Sequence, residues 1–506
     1  MTSRSMQGCM RTGPRGLGRN HFGEALQVVS LNRRLLVCQR CKSSENPGSD
    51  EDGRSREILR QVVSLALPTT LALAVEPIGS LVSTGFMGHV GSVELAGVGV
   101  SLSVYNAFTK LFNMPLLAII TSTIGSATGY QGGDRAKVSD AILSSLALAL
   151  FIGISQSLVL YVSGDAGLRM YGATPGSDIF KPASQYLMVR TLGNCATVSF
   201  VSLLGIFRGL GDTVSPLIGT LCFTCSSILF EYMFLFSFGW GARGAALAVV
   251  CAQVVGGCVQ LFSLSRSNLI SFESLKKGRK LPINRDHSVG ILHRLGLTCI
   301  LMWRTLAVML VYATACGILA RFGGATVTAA HQIAFQIWLA SSLLSDSLAV
   351  ASQSLISRYR GQGETGKAAT VASVGFQLAI ILGCILTVFL IMVSVVAPQN
   401  LFTSDIDVLE ALEAIMPMVI GSQVINSIAF VMDGIVYGYG RKGFVYAAKS
   451  MIFAAIPSIA TMVGGLFFCL QKNLGPVCIL KSVWAGLIVL MVCRSLTMYF
   501  NRLSSL

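Results

Sequence analysis

Glu76 and Pro77 are the residues whose types and placement most suggest chemistry. They sit near the middle of VVSLALPTTLALAVEPIGSLVSTGFMG (62–88), in which Glu76 is the one charged residue. The stretch is long enough to cross a bilayer's hydrocarbon core, which takes about 20 apolar residues. A carboxylate at that depth is costly unless it is protonated, paired or facing water, so such residues mark ion and substrate pathways. Pro77 has no N–H to offer the carbonyl of Leu73, so the helix should bend or loosen beside the acid. The pair predicts a protonatable group at a moving part, with Pro77 as hinge. The other reading of Glu76 is a permanent partner for an intramembrane cation.

Further candidates lie in other apolar runs. Asp346 is deep in LLSDSLA, and Asp433 lies in FVMDG. Either acid could titrate or bind a cation; Asp346 could equally serve helix packing, and Asp433 could cap a helix end. Gln423 and Asn426 share the helix of Asp433, and positions 426 and 433 are two turns apart on one face. Arg304 and Lys110 could meet an anionic substrate or neutralise the acids. Arg304 lies near a helix start, from which it could snorkel to the interface. His331, in AAHQI, suits a proton carrier, although a place near a membrane surface favours a structural hydrogen bond. Glu231 and Lys449 are weaker versions of the same ambiguity. The Gly-rich GIFRGLGD (205–212) and GIVYGYGR (434–441) have neither Walker spacing nor a preceding strand, so they read as tight turns between helices. With no ATP-binding motif, and no histidines in a ligand-spaced pair, the expectation is a non-enzyme without cofactor, driven by a proton or sodium gradient.

Composition fixes the class. Hydrophobic residues make up 53% of the chain and charged residues 12%, against roughly 25% charged in soluble domains. The fold class is therefore an all-α polytopic membrane protein. Net charge is +15, yet the basic residues lie in loops between apolar segments, so topology explains them and nucleic acid is not expected as a partner. The 14 cysteines are scattered, mostly inside apolar segments, and form no disulfide framework.

Along the chain, residues 1 to about 44 hold eight Arg or Lys against the single acid Glu24. That resembles an organelle transit peptide, with a basic cytosolic tail as the alternative. The acidic SSENPGSDEDG (43–53) reads as a linker, so 1–53 is expected to be a disordered N-terminal segment. Twelve apolar segments follow, at about 61–84, 93–123, 138–163, 183–205, 215–238, 244–264, 291–320, 326–353, 368–397, 411–437, 443–470 and 475–500. They divide into a six-helix lobe at 54–264, a basic link at 265–289 and a second six-helix lobe at 290–506. Arg135, Lys137, Arg208, the link, Arg358, Arg360, Lys367, Arg441 and Lys442 all fall on one face, which is expected to be cytosolic or stromal. The halves repeat: GIFRGLGD matches GIVYGYGR, Tyr130-Gln-Gly-Gly matches Tyr359-Arg-Gly-Gln, and Gly91-Ser-Val-Glu-Leu-Ala96 matches Gly324-Ala-Thr-Val-Thr-Ala329. Six intervening helices make the repeat parallel, with a central cleft between two bundles.

The motifs ALPTTLALAVEPIGSLVSTGFMGHVGSVELAGVGVS (66–101), NAFTKLFNMPLLA (106–118), GIFRGLGDT (205–213), RTLAV (304–308), AAHQIAFQIWLASSLLSDSLA (329–349) and NSIAFVMDGIVYG (426–438) resemble the multidrug and toxic compound extrusion (MATE) family. The likeness is to its plant and algal plastid and citrate-exporting branches. The resemblance implies two six-helix lobes and a cation-coupled antiporter working by alternating access, with protons favoured over sodium. Its partners would be a small organic solute, protons and membrane lipid, in a monomer of the plastid envelope, another organelle or the plasma membrane. The expected solute is a carboxylate or phenolic anion or a xenobiotic; organic cations, or less readily a lipid-linked precursor, are the alternatives. One departure stands out. Members of this type often carry an acid just before the T-[AG]-[FY] triplet of the first helix, and here that place is Ser83.

Overall fold

The computed structural model describes residues 49–129, 135–267, 285–396 and 405–505. Regular structure among them is helical throughout, as lipid demands of a spanning chain, since only internal hydrogen bonds can satisfy the backbone there. The helices are α1 (Ser49–Val90), α2 (Ser92–Gly129), α3 (Arg135–Met170), α4 (Phe180–Leu192), α5 (Asn194–Leu210), α6 (Val214–Tyr232) and α7 (Gly241–Arg266). The second half supplies α8 (Arg285–Ile318), α9 (Gly324–Gly361), α10 (Thr365–Val396), α11 (Ile406–Gly421), α12 (Gln423–Gly438), α13 (Arg441–Gln471) and α14 (Pro476–Ser505). Short π-helical turns, Met233–Ser237 and Leu319–Gly323, extend α6 and α8.

Among the described residues, nine helical runs are long and apolar enough to cross a membrane. One of them, Arg294–Gly361, has 68 residues. That is roughly 100 Å of helix against a core of about 30 Å, so it must cross twice. It divides at Gly324, whose φ is 79°. Two bent pairs complete the set: α4 with α5 at 55° and α11 with α12 at 51°. The described residues thus cross twelve times, once for each apolar segment. The bends fall at Gly193 and Ser422, and the turns after α5 and α12 use Gly211 (φ 74°) and Gly440 (φ 70°). Both pairs are 229 residues apart, so the two halves repeat in shape as well as in sequence. The left-handed φ at Gly211 and Gly440 suits a residue without Cβ.

Each lobe has a core of its own, and Ala118 and Ile119 of α2 share a smaller one with Leu297, Leu301 and Phe444 of the second lobe. Leu116, Ile120, Ile142 and Phe207 join α2, α3 and α5 in the first lobe. Trp338, Met451 and Trp484 join α9, α13 and α14 in the second. The lobes meet where α2 and α9 run toward their basic loops. There Gln353 Nε2 donates to Ala118 O (2.8 Å) and Ser122 Oγ (2.9 Å), Ser122 Oγ donates to Tyr437 O (2.9 Å), and Ser354 Oγ donates to Arg208 O (2.6 Å). Toward their other ends, α2 and α9 pack within their own lobes: Tyr105 with Leu160 and Leu187, Trp338 with Trp484. These hydrogen bonds join the lobes on the basic face.

α1 belongs to both lobes. Ile58, Val62 and Ala66 join a core with Leu348, Leu355 and Val371 of α9 and α10, while Met87 packs with Val98 and Leu235 of the first lobe. Tyr359 donates to Gln61 Oε1 (2.7 Å), and Thr70 Oγ1 donates to Ser347 Oγ (2.8 Å). The helix runs unbroken through Pro68 and Pro77, so the expected weak point is a missing hydrogen bond rather than a break. Among the described residues one disulfide, Cys469–Cys478, ties α13 to α14, a pairing that the scatter of cysteines does not announce. The transit-like segment at 1–44, residues 268–284 of the basic link and Tyr130-Gln-Gly-Gly lie outside the described residues.

Candidate functional site

The charges of the second lobe gather on Asp433. Arg304 from α8 and Arg494 from α14 both donate to its Oδ2, and Arg494 Nη2 also reaches Ala429 O at 3.0 Å. The Arg494 side chain is only 4% exposed, and those of Asp433 and Arg304 are 12% and 15% exposed. Aromatic rings flank both guanidiniums, Tyr437 at 5.4 Å from Arg304 and Phe430 at 5.1 Å from Arg494, a favourable setting for cations with little water. Arg304 is therefore turned onto a buried acid and does not snorkel to an interface. Lone charges on three helices converge because each needs a partner in lipid.

Asp346, on α9, is half-buried and lies within electrostatic reach of Arg304, Arg494, Asp433 and Arg208. No hydrogen bond to its carboxylate is found among the described residues, and the same holds for Glu76. Glu76 is exposed on the stretch of α1 between its two packed halves, and with Asp346 it lies within reach of Arg208 at the end of α5. Two carboxylates from different helices, neither of them hydrogen-bonded among the described residues, thus lie within electrostatic reach of one guanidinium.

The amides near Asp433 have other tasks. Gln423 Oε1 accepts from Ser341 Oγ (2.8 Å), and Asn426 Nδ2 donates to Ser342 Oγ (2.9 Å). Both fix α12 against α9, and Asn426 Oδ1 is left without a partner. Lys110 is exposed on α2, apart from this cluster. His331 also stands apart: it is 1% exposed, its ring lies against Phe335 and Trp484, and Nδ1 has no hydrogen-bond partner.

The first lobe holds a polar core that sequence reasoning passes over. The Tyr105 hydroxyl donates to Asn194 Oδ1 (2.7 Å), Asn194 Nδ2 donates to Gln156 Oε1 (3.1 Å), and Gln156 Nε2 donates to Asn113 Oδ1 (3.1 Å). The Arg190 guanidinium lies 4.3 Å from the centroid of the Tyr105 ring. Tyr105→Phe leaves buried acceptors unpaired and is expected to cost about 1–3 kcal/mol. A lowered thermal midpoint in detergent, with unchanged solute binding, is the result that checks it. Glu231 is 2% exposed; Ser227 Oγ donates to its Oε1 (3.3 Å), and Oε2 is unpartnered. Ser83 of α1 lies beside it. At the place where the first helix lacks an acid, the neighbouring carboxyl comes from α6.

The sequence model described as MatE matches residues 68–233 and again residues 301–463, so the two matches start 233 residues apart. The chain belongs to the MATE family. Protein DETOXIFICATION 44, chloroplastic, of Arabidopsis thaliana is 34% identical, over 86% of this chain and 80% of that protein. Protein DETOXIFICATION 45, chloroplastic, of the same plant is 32% identical, over 89% and 79%. Among solved structures, a mutant of the Vibrio cholerae MATE transporter VcmN superimposes with a TM-score of 0.76 at 18% identity, over 90% of this chain and 99% of that one. The MATE fold of two six-helix lobes accounts for the repeat and for the bent fourth and tenth crossings. Arg494 and Arg190 are the residues that sequence reasoning should have caught: each is a lone cation in an apolar segment (VLMVCRSLTMYF and QYLMVRTLG), the same signal that marks Glu76.

Proposed function

We propose that this MATE-family chain is a secondary active antiporter that exports a small organic solute from the basic-face compartment in exchange for protons. The observation that carries the reading is the pair of carboxylates without hydrogen-bond partners, Glu76 of α1 and Asp346 of α9, within electrostatic reach of Arg208, whose carbonyl lies at the basic-face contact between the lobes. In the state open to the face opposite the basic loops, protons from that side reach both acids. Protonation removes two charges, weakens the hold on a bound solute and changes the field in which Arg208 sits. Because α1 packs on one lobe through Ile58 and on the other through Met87, rocking of the lobes must work on its middle, where Pro77 has already removed a hydrogen bond. Such a ligand shifts the two-state balance only by its difference in affinity for the two states.

The chloroplastic relatives and the Arg-rich first 44 residues support a place in the plastid envelope, with the basic face toward the stroma. Two lobes within one chain enclose the cleft without a second copy, so the functional unit is taken to be a monomer.

The test uses the full chain in proteoliposomes under an imposed pH gradient. Lumenal pH is followed while citrate, a phenolic acid and an organic cation are added in turn. Solute-triggered proton movement is expected, and Glu76→Gln is expected to abolish it. Normal proton movement by Glu76→Gln, or flux driven by sodium alone, would sink the proposal.

A further inference from the structure

We propose that a crevice between α4 and α7, on the flank of the first lobe, binds one anionic lipid. Its phosphate lies on Arg243 and its acyl chain runs along Val189 and Leu247. The site is separate from the cluster on Asp433 and does not depend on which solute is exported.

The crevice has a volume of about 510 Å³ and is lined by Gln185, Val189, Trp240, Arg243 and Leu247, a size usual for a small-ligand site. Its deep end is closed where the two helices touch. A Cβ at Gly193 would fall 2.2 Å from Val250 Cγ2, an approach that a residue without a side chain allows. Val189 and Leu247 stand one turn outward of that contact, and Gln185 and Arg243 a second turn. α4 and α7 pack on α2, α3, α5 and α6, all of the first lobe. Met188 and Leu192 of α4 and Val254 of α7 are exposed large apolar residues. Within an apolar membrane segment such side chains face lipid, so the crevice opens to the bilayer.

Arg243 directly precedes the apolar run 244–264, which sets it at the membrane surface on the face opposite the basic loops. Leu247 is four residues, about 6 Å, deeper. Arg243 is exposed and makes no hydrogen bond or ion pair among the described residues, and the half-buried Gln185 amide makes none either. Lys181, one turn outward of Gln185 on α4, adds a second exposed cation, and no acid lines the crevice. Trp240 forms the rim, its ring 5.2 Å from those of both Phe234 and Phe238, as aromatic residues cluster at headgroup level.

Guanidinium and amide donors together suit a phosphate. A free phosphate would use the outer half of the crevice alone. The inner half is apolar and at hydrocarbon depth, where a chain attached to the phosphate fills it. A zwitterionic headgroup would bring its ammonium beside Arg243 and Lys181, which selects for a headgroup with net negative charge.

The test is native mass spectrometry of the full chain in detergent, after incubation with equal amounts of dioleoyl phosphatidylglycerol and dioleoyl phosphatidylcholine. One phosphatidylglycerol is expected to be retained about fivefold over phosphatidylcholine, the ~1 kcal/mol that one basic side chain contributes beside an anionic headgroup. Arg243→Gln should move the ratio toward parity, and Arg243→Lys should keep it. Leu247→Trp, which fills the apolar half, should lower retention of both lipids. Arg321→Gln removes another exposed cation of the same face and should change nothing. Excess glycerol 3-phosphate should not displace the lipid; displacement would make the occupant a free phosphate and overturn the inference. Equal retention of the two lipids by the wild type, or a preference that survives Arg243→Gln, would overturn it as well. If Leu247→Trp does not fold, the wild-type ratio and Arg243→Gln, a change at an exposed side chain, decide.

Discussion

Asp433→Asn is expected to be the most destabilising single change in the second lobe. It keeps the shape of the side chain and removes the one charge that two guanidiniums share. Arg494, 4% exposed and fixed to Ala429 O, cannot turn to water. Removing one partner of a buried ion pair costs about 3–5 kcal/mol, because the charge left behind is uncompensated. The thermal midpoint in detergent should fall sharply, with reduced yield of folded protein. Arg304→Met added to Asp433→Asn should recover part of the loss, since one of the two orphaned charges is then gone and contacting residues do not add independently. A midpoint for Asp433→Asn close to that of the wild type, or no recovery in the double variant, would show that Asp433 is not the shared counter-ion.

The cluster also shows where sequence reading reaches and where it stops. Twelve crossings are legible because crossing length and apolarity are properties of a segment by itself, and the parallel repeat is legible because GIFRGLGD and GIVYGYGR place a glycine of positive φ, Gly211 and Gly440, at matching positions. Arg304, Asp433 and Asp346 can be chosen as candidates one at a time, since each is a charge at membrane depth. Their pairing is different in kind. Arg494 lies 61 residues from Asp433, and nothing in the periodicity of either helix says that they touch. Arg304 looks close to a helix start in the sequence, yet α8 begins at Arg285, which sets Arg304 well inside the helix and beyond snorkelling reach. Gln423 and Asn426 share a helix with Asp433, but the serines Ser341 and Ser342 that engage them belong to α9. The contrast between Ser83 and Glu231 follows the same rule: an acid missing from one helix is visible, whereas its counterpart on a facing helix becomes visible only when the two are packed.

Gly129→Leu is expected to loosen the seal between the lobes on the basic face. Gly125 and Gly129 form a small-xxx-small step on α2, the pattern that lets membrane helices approach closely. Opposite them stand Ser357 and Gly361 of α9. A Cβ at Gly129 would fall 2.0 Å from Arg358 O and 2.9 Å from Gln362 N, and one at Gly361 would fall 2.2 Å from Ser126 O. These are backbone atoms, so relief requires α2 and α9 to separate. Overpacking of this kind costs about 1–3 kcal/mol, and the cost falls on the state in which the basic-face seal is closed. A state with that seal open escapes it, so the balance should move about 5- to 150-fold toward opening, as a coupling of that size implies. Hydrogen exchange reads the change without labels: amides of 118–129 and 353–362 should exchange faster in Gly129→Leu. Gly99→Ala, on the same helix with nothing within 4 Å of its added Cβ, should leave their protection unchanged. Unaltered protection in Gly129→Leu would mean that the close approach of α2 and α9 does not hold the seal. The same loss of protection in Gly99→Ala would mean that α2 is sensitive everywhere and that the seal has no special place in it.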